Sequence, residues 1–181
     1  GAGQNLREAT EIAGGLISRV RELSLDLRPP MLDDLGLVPA IRSHFLHHTE
    51  KLDIKSSFIA KPEEMHFSRE IEVTCFRVAQ EAVTNALRHS GATSIAIELK
   101  KRETGLELSV RDNGKGFDVE AKFHQSAEGK SFGLLGMQER VRLAGGTLTI
   151  SSKRNRGSEV QVMFPDVFAV SLDNSERAAK R

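Results

Sequence analysis

The sequence predicts an α+β domain of two layers, with helices on one face of a mixed, mostly antiparallel sheet, preceded by a helical stalk. Up to about residue 90, apolar residues recur mostly every three or four positions, which is typical of helices. Beyond that point they recur every second position in short runs, which indicates strands with one buried face. Apolar residues make up 39% of the chain and charged residues 28%, a composition that favours a globular domain over a disordered chain.

The first predicted element is a stalk helix from Leu6 to Leu27, within residues 1–30. Its apolar positions alternate steps of three and four over three heptads, as in a coiled coil or a helical bundle. Two prolines after Arg28 end it, because proline lacks the backbone donor and restricts the preceding residue. Two interpretations stay open: the helix is one part of a dimerisation bundle whose other helix is missing, or it docks on its own domain.

The domain itself is predicted over residues 31–165. A turn leads into a helix from about Val38 to Leu52, an edge strand within residues 53–62, and a long helix from about Ser68 to His89. Two hairpins follow, because each pair of alternating runs flanks a glycine-bearing turn. Between the hairpins, a polar segment precedes a helix from about Gly136 to Ala144. The charged, aperiodic residues 166–181 are predicted to be a disordered tail.

The composition also limits which kinds of binding partner and which cellular compartment we expect. The net charge of +1 gives no whole-chain argument for nucleic acid binding. Cys75 is the only cysteine, which excludes a disulfide within the chain and favours a reducing compartment. No apolar run approaches the ~20 residues that span a bilayer, and no signal peptide is visible. We therefore expect a cytoplasmic domain, with any inner-membrane anchor of the full-length protein in segments upstream of this sequence.

Three segments carry candidate chemistry, and the first is a polar stripe on the long helix. Glu81, Asn85 and His89 are spaced four residues apart, which places them on one face. Asparagine is unfavourable in a helix interior. Asn85 therefore either makes a structural hydrogen bond or ligates Mg²⁺ through its amide oxygen, with Glu81 near the same ion. Arg88 lies close enough along the helix to meet phosphate oxygens.

The second segment is Asp112 with Gly114 and Gly116, at the end of the first hairpin. An inward carboxylate needs a hydrogen-bond donor, and the exocyclic amine of adenine is one such donor. Glycines let the backbone turn sharply and approach a flat ligand. The alternative is an ordinary turn, because Asp-Asn-Gly is common in turns.

The third segment is a glycine-rich entry to the next helix. Gly133 and Gly136 are predicted to precede that helix, whose free N–H groups and positive dipole end attract phosphate. A glycine pair before a helix is also a common hinge. Gly129, Lys130 and Ser131 are predicted to form a mobile flap over a nucleotide. Together the three segments would supply contacts for a metal, a base and a phosphate.

These segments resemble the motifs of one family, the GHKL ATPases. Residues 76–92 (FRVAQEAVTNALRHSGA) resemble its N box, residues 112–117 (DNGKGF) its first glycine box, and residues 133–141 (GLLGMQERV) its second. With LRPPMLDDLGLVPAI at residues 27–41, they are similar to the histidine-kinase branch related to nitrate sensors. The resemblance covers residues 27–165 and implies a two-layer ATP-binding sandwich behind a bundle for dimerisation and histidine phosphotransfer.

The resemblance implies a role for each matched residue. Asn85 would ligate Mg²⁺ beside Glu81, which would hold or polarise water, and these two are the predicted catalytic residues. The other matched residues would bind ATP: Arg88 and His89 at the phosphates or ribose; Asp112, Gly114, Gly116 and Phe117 at the adenine; Gly133, Leu134, Gly136 and Met137 at the lid hinge and phosphate end. Ser158 stands at the family's late threonine position and keeps its hydroxyl.

The chain departs from this branch at the phosphate acceptor. Members of the branch carry a histidine followed by an acidic residue on a bundle helix, and none of the six histidines here precedes Asp or Glu. We therefore predict that the chain binds ATP without carrying its own phosphoacceptor. His44, His47 and His48 share a helix face at metal-ligand spacing, but no cysteine or acid completes an obvious site, which favours a solvated face.

These observations predict the catalytic domain of a two-component sensor histidine kinase. It would bind Mg-ATP and transfer the γ-phosphate to a histidine on a separate bundle helix. The phosphate would then pass to an Asp of a response regulator with a helix-turn-helix output, and the full-length protein would form a homodimer through its bundle helices. The alternatives are an anti-sigma-factor-type Ser/Thr kinase and a nucleotide-gated binding module without transfer activity.

Overall fold

The computed structural model of the protein describes residues 30–50, 52–103, 105–127 and 133–165. The predicted stalk helix, the predicted flap at residues 129–131 and the predicted tail lie outside these residues. The elements, in chain order, are α1 (Pro30–Leu35), α2 (Leu37–Thr49), β1 (Lys55–Lys61), α3 (Arg69–Asn85), a π-helical turn (Ala86–Ser90), β2 (Ser94–Arg102), β3 (Gly105–Asp112), α4 (Val119–Ala127), α5 (Gly133–Leu143), β4 (Thr147–Ser152) and β5 (Ser158–Pro165). Among the described helices, none is both long enough and apolar enough to cross a bilayer.

Five strands form one mixed sheet in the order β1-β2-β3-β5-β4. β1 runs parallel to β2, and every other neighbouring pair is antiparallel. β1 is therefore an edge strand, as predicted, and both predicted hairpins are present. The predicted α+β class is confirmed, but the insertion of β5 between β3 and β4 had no signal in the sequence.

The core lies between one face of the sheet and the helices. Alternation along β2, β3 and β5 directs one row of each strand inward, where α2, α3 and α5 cover it. The largest fully buried side chains include Phe45 and Ile41 of α2, Met137 of α5, and Ile97, Leu99, Leu108 and Phe164 of the sheet. Each such side chain stabilises the fold by roughly 1.5–3 kcal/mol through burial.

The outer face of the sheet carries paired polar side chains instead of a second helical layer. Arg111 lies 2.9 Å from Glu159, which also accepts a hydrogen bond from the hydroxyl of Ser109 at 3.0 Å. The hydrogen bond from Arg111 lowers the pKa of Glu159 below its usual range. Arg102 forms a similar pair with Glu107. An antiparallel sheet with one polar face needs no cover on that side, which explains the two layers.

Two helices, α1 and α4, were missed, and α2, like α3 and α5 at the candidate site, differs from its predicted bounds. A short helix, α1, stands where a turn was predicted. Leu32, only 1% exposed, anchors this helix to the core, and its six residues are too few to show a helical period in the sequence. α2 ends at Thr49, three residues early. α4 occupies part of a segment predicted to be irregular, where Phe123 packs against the edge of the core.

His44 corrects the prediction that the histidine face of α2 is fully solvated. His47 and His48 are exposed, but the ring of His44 packs edge-on against Phe76 of α3, 5.6 Å between centroids. Its Nε2 is buried and has no hydrogen-bond partner among the described residues. Burial, together with the neighbouring charges of His48, His47 and Arg77, lowers the pKa of His44 to about 4.

His44 is expected to make the fold less stable in mild acid. Its pKa is about 4 when folded against an ordinary value of 6.5, so the unfolded chain binds the proton more readily. The stability is fully present above pH 6.5 and is lost as the pH falls toward 4, by on the order of 1 kcal/mol at pH 5 after discounting for solvent screening. Denaturant unfolding at pH 7 and pH 5 measures the loss, which His44→Gln should reduce. His66→Gln, at an exposed position, is the control; an equal reduction in both variants would contradict the assignment.

Candidate functional site

Glu81 and Asn85 form a hydrogen-bonded pair on α3. Nδ2 of Asn85 donates to Oε1 of Glu81 at 3.0 Å, and both side chains are partly exposed. The predicted apolar face opposite them is buried: Val78, Ala79, Ala82, Val83 and Ala86. The amide oxygen of Asn85 accepts no hydrogen bond from the described residues. The two interpretations of Asn85, as a structural hydrogen-bonding group and as a ligand, are therefore compatible.

The winding of the helix changes after Asn85. Residues 86–90 form a π-helical turn that ends at Gly91, where φ is 64°. The predicted helix reached His89, but its last residues wind as a π turn, which is wider than an α turn. Arg88 and His89 are both exposed on this turn.

Asp112 is the last residue of β3 and lies between Ile95 of β2 and Ser158 of β5 in the sheet register. Its Oδ1 accepts a hydrogen bond from the backbone N–H of Gly114 at 2.8 Å. The donor that a partly buried carboxylate requires is thus supplied by the chain itself. Oδ2 has no partner among the described residues and remains available to a ligand.

Close backbone packing explains Gly114 and Gly116. A Cβ on Gly114 would come within 2.5 Å of atoms of Ser90. Gly116 has a φ of +60°, and a Cβ there would overlap the carbonyl oxygen of Lys153. Phe117 follows, and its ring is partly buried against the core. These contacts require glycine whether or not a ligand binds.

The N-terminus of α5 lies against the Glu81–Asn85 pair. A Cβ on Gly133 would overlap the Glu81 carboxylate and lie 3.9 Å from Nδ2 of Asn85. The absence of a side chain at Gly133 therefore lets the start of one helix approach the polar pair on another. The two segments meet although they are far apart in the sequence.

Both glycines at the start of α5 lie inside the helix, so the prediction that they precede it is wrong. Leu134 and Met137 are 7% and 1% exposed, and their burial extends the helix back to Gly133. A Cβ on Gly136 would meet nothing within 4 Å. A larger residue at Gly133 would have to displace the end of the flexible Glu81 side chain, whereas Gly136 has open space around it.

A shallow cavity of about 490 Å³ lies at the end of the sheet next to Asp112 and Ser158. The hydroxyls of Ser158 and Ser152 are 3.1 Å apart, and Ser152 donates to the carbonyl of Gly157 at 3.0 Å. The remaining lining residues are Arg111, Val119, Ile150, Ser151, Lys153, Arg156 and Glu159. Ser152 was not predicted, although the two-residue period of β4 could have placed it inward, and neither were the basic residues Lys153 and Arg156 of the turn between β4 and β5.

The predicted residues thus fall into two groups. The helix group consists of Glu81 and Asn85 with Gly133, and the strand group consists of Asp112 with Ser158. The strand group lines the cavity and the helix group does not. The groups are connected through the end of the π-helical turn, which touches the loop after Asp112.

The oxygen atoms of Glu81 and Asn85 suit Mg²⁺. This ion keeps several waters and takes one or two protein oxygens together with phosphate oxygens. One carboxylate beside one amide satisfies that requirement. Within the described ranges, no group of three His, Cys, Asp or Glu side chains could hold a metal by itself.

Comparison with known proteins agrees with the motifs. Residues 70–167 match the family described as histidine kinase-, DNA gyrase B- and HSP90-like ATPase. The chain is 43% identical over 142 residues to the signal transduction histidine-protein kinase/phosphatase DegS of Bacillus subtilis (strain 168), covering 76% of this chain and 36% of DegS. It is 37% identical over 161 residues to the oxygen sensor histidine kinase NreB of Staphylococcus carnosus (strain TM300), covering 89% of this chain and 45% of NreB. The chain spans less than half the length of either relative.

Solved histidine kinase structures share the fold. The catalytic domain of histidine kinase ThkA has a TM-score of 0.58 at 19% identity, over 71% of this chain and 89% of that one. The blue-light activated histidine kinase EL346 of Erythrobacter litoralis has a TM-score of 0.60 at 20% identity, over 88% and 53%. At these identities the likeness concerns the fold alone, while the family match includes all three motifs. The chain therefore belongs to the family of histidine kinase-, DNA gyrase B- and HSP90-like ATPases.

Proposed function

We propose that this chain is the catalytic ATP-binding domain of a two-component sensor histidine kinase. Its family is one of ATPases, which implies that it binds ATP. The observation that carries the proposal is the contact between the start of α5 at Gly133 and the Glu81–Asn85 pair. Backbone N–H groups at a helix start beside two oxygen ligands are what a metal-bound triphosphate requires.

In this proposal the helix group holds the triphosphate end of the nucleotide. Asn85 would ligate Mg²⁺ through its free amide oxygen, and Glu81 would hold a water of the ion. When bound, the ion would neutralise part of the phosphate charge. Arg88 and His89 are exposed just beyond the pair and would contact phosphate or ribose oxygens.

The strand group would hold the base. Oδ2 of Asp112 would accept a hydrogen bond from the exocyclic amine of adenine, while Oδ1 keeps its bond to Gly114. Gly116 and Phe117 would form a wall of the base site. The hydroxyl of Ser158, beside Asp112 in the sheet, would hold water near the base.

The first turn of α5 would bind phosphate. α5 has eleven residues, long enough for its dipole to favour an anion at the N-terminal N–H groups. Leu134 and Met137 anchor the helix in the core. Gly133 and Gly136 leave the backbone accessible and would serve as the hinge of a lid.

The proposed reaction is an in-line displacement at the γ-phosphorus. A nitrogen of the acceptor imidazole forms the N–P bond, the bond from phosphorus to the β–γ bridging oxygen breaks, and ADP leaves. The imidazole proton passes to the acidic residue that follows the acceptor histidine. The domain contributes positioning and charge neutralisation, which carry most of the catalysis in phosphoryl transfer.

The rest of the proposal concerns the longer protein. Residues 1–30 would supply a helix of the dimerisation and phosphotransfer bundle, residues 31–165 the catalytic domain and residues 166–181 a disordered tail. The homodimer would pass phosphate to an Asp of a response regulator with a helix-turn-helix output. Both curated relatives are named as histidine kinases, which favours this function over an anti-sigma-factor-type Ser/Thr kinase.

Trans-phosphorylation tests the proposal. The chain is incubated with γ-labelled ATP and Mg²⁺, with and without a separate helical bundle that carries a histidine followed by an acidic residue. We expect acid-labile label on the bundle only when the chain is present, and no label on the chain itself. A bundle with that histidine changed to Gln is the control.

Three results would contradict this function. ATP binding without any transfer would favour a nucleotide-gated binding module. Label on a serine or threonine of a supplied protein would favour the Ser/Thr kinase. Stable label on the chain itself would show that one of its own residues is the acceptor.

A further inference from the structure

We propose that Asn113 and Ser90 are positioning residues, which clasp the loop after β3 to the end of the π-helical turn and thereby set the separation between Asp112 and Asn85. The proposal rests on the proposed function, in which Asp112 and Asn85 hold opposite ends of one nucleotide. Neither Asn113 nor Ser90 has a ligand-binding role in that function.

The side chain of Asn113 is hydrogen-bonded to the start of the neighbouring strand. Its Oδ1 accepts hydrogen bonds from the backbone N–H groups of Thr93 and Ser94, both at 2.9 Å. Its Nδ2 donates to the hydroxyl of Thr93 at 3.0 Å. Its own backbone N–H donates to the carbonyl of Ser94 at 3.2 Å. A carboxamide with these three partners joins two segments of the chain, a role that needs no ligand.

Ser90 makes the second half of the clasp. Its hydroxyl donates to the carbonyl of Ala86 at 2.7 Å and accepts from the N–H of Ala92 at 3.0 Å, which ties down the end of the π-helical turn. Its backbone carbonyl accepts from the N–H of Lys115 at 2.9 Å. Gly114 packs so closely against Ser90 that a Cβ on Gly114 would come within 2.5 Å of Ser90 atoms.

The clasp therefore sits between the two groups of site residues. On one side, the π-helical turn continues directly from Asn85. On the other, Asp112 directly precedes Asn113, and its Oδ1 is bonded to Gly114. Movement of the loop relative to the turn would change the distance between the amide of Asn85 and the carboxylate of Asp112.

If the clasp holds the two subsites at one separation, its loss should change the affinity for a ligand that reaches both subsites and not the affinity for a ligand that reaches one. A ligand that reaches both gains over its separate halves only if the subsites are preorganised at the matching distance. Loosening the clasp should cost the linked ligand that advantage, while each half binds its own intact subsite as before. A residue that contacts the ligand, or that merely stabilises the fold, does not give this pattern.

The test is the affinity of the Asn113→Ala variant for three probes: adenosine, Mg-tripolyphosphate and a non-hydrolysable Mg-ATP analogue. NMR titration at a temperature well below unfolding measures all three. We expect the Kd of the ATP analogue to rise about 10-fold, the effect of losing one well-placed interaction, and the Kd of each fragment to change by less than about 2-fold. Thr93→Val removes only one bond of the clasp and should show the same pattern at smaller size, which keeps the test available if Asn113→Ala unfolds.

Thr49→Ala is the matched control, because it removes a side-chain hydrogen bond to the backbone of α2 away from the site. It should lower the Tm without changing any of the three affinities. An unchanged Kd for the ATP analogue in Asn113→Ala, or equal losses for all three probes, would overturn the clasp and leave the proposed function intact. Failure of the wild-type chain to bind the ATP analogue more tightly than either fragment would overturn both.

Discussion

Glu81→Gln is expected to slow phosphoryl transfer to a supplied histidine by about 10²–10³-fold, as for the loss of one electrostatic group in an active site. The glutamine keeps an oxygen that can accept from Nδ2 of Asn85, so the local geometry of α3 should survive. What is lost is the negative charge that, in the proposed site, would orient water beside the ion. The measurement is the single-turnover rate of label transfer to the bundle at saturating Mg-ATP, with the nucleotide Kd determined in parallel and expected to stay within a few-fold.

Glu70→Gln is the control for this variant, since Glu70 is exposed in the first turn of the same helix. It removes the same charge from α3 and should transfer at the wild-type rate. A Glu81→Gln chain that transfers at the wild-type rate would remove Glu81 from the catalytic residues. A variant that loses nucleotide affinity as steeply as rate would instead assign Glu81 to binding.

Asp112→Asn is expected to raise the Kd for Mg-ATP by about 10–100-fold. The carboxylate accepts from the adenine amine in the proposed site, and a hydrogen bond to a charged group is worth ~1.5–3 kcal/mol. Asparagine can still accept from the N–H of Gly114, but its amide nitrogen would then face the amine of the base, so that two donors oppose each other. Isothermal titration and the rise in Tm on adding Mg-ATP both measure the change.

Inosine triphosphate tests the contact with the base specifically, because its base carries a carbonyl oxygen where adenine carries the amine. The wild-type chain should prefer ATP strongly, and Asp112→Asn should reduce or reverse that preference. Asp118→Asn is the control, since it makes the same charge change nearby while asparagine remains a good helix cap for the N–H of Ala121. Equal protection of wild type and Asp112→Asn by Mg-ATP would refute the assignment of Asp112 to the base.

The elements that the sequence predicted well are those that bury one face completely. The alternating residues Ile95, Ile97 and Leu99 predicted β2 because all three are at most 1% exposed. The small apolar residues of α3 predicted its buried face for the same reason. The elements that were missed bury little: α1 rests on Leu32, and α4 rests on the partly buried Phe123.

The winding of α3 after Asn85 could not be predicted from local propensity. The residues that follow, Ala86 to Ser90, suit an ordinary helix, and five residues are too few for a π turn to show a period in the sequence. Contact between Ser90 and Gly114 holds the end of the turn in place.

The sequence by itself determined the kinds of side chain available, the order of their motifs and the family to which the chain belongs. Periodicity reports which face of an element is buried, and it is written into neighbouring residues, so it can be read locally. Only the tertiary structure decided that Gly133 meets the Glu81–Asn85 pair and that Ser158 stands beside Asp112. Those contacts depend on the insertion of β5 between β3 and β4 and on the close approach of α5 to α3. Both are outcomes of packing between distant segments, which no local pattern encodes.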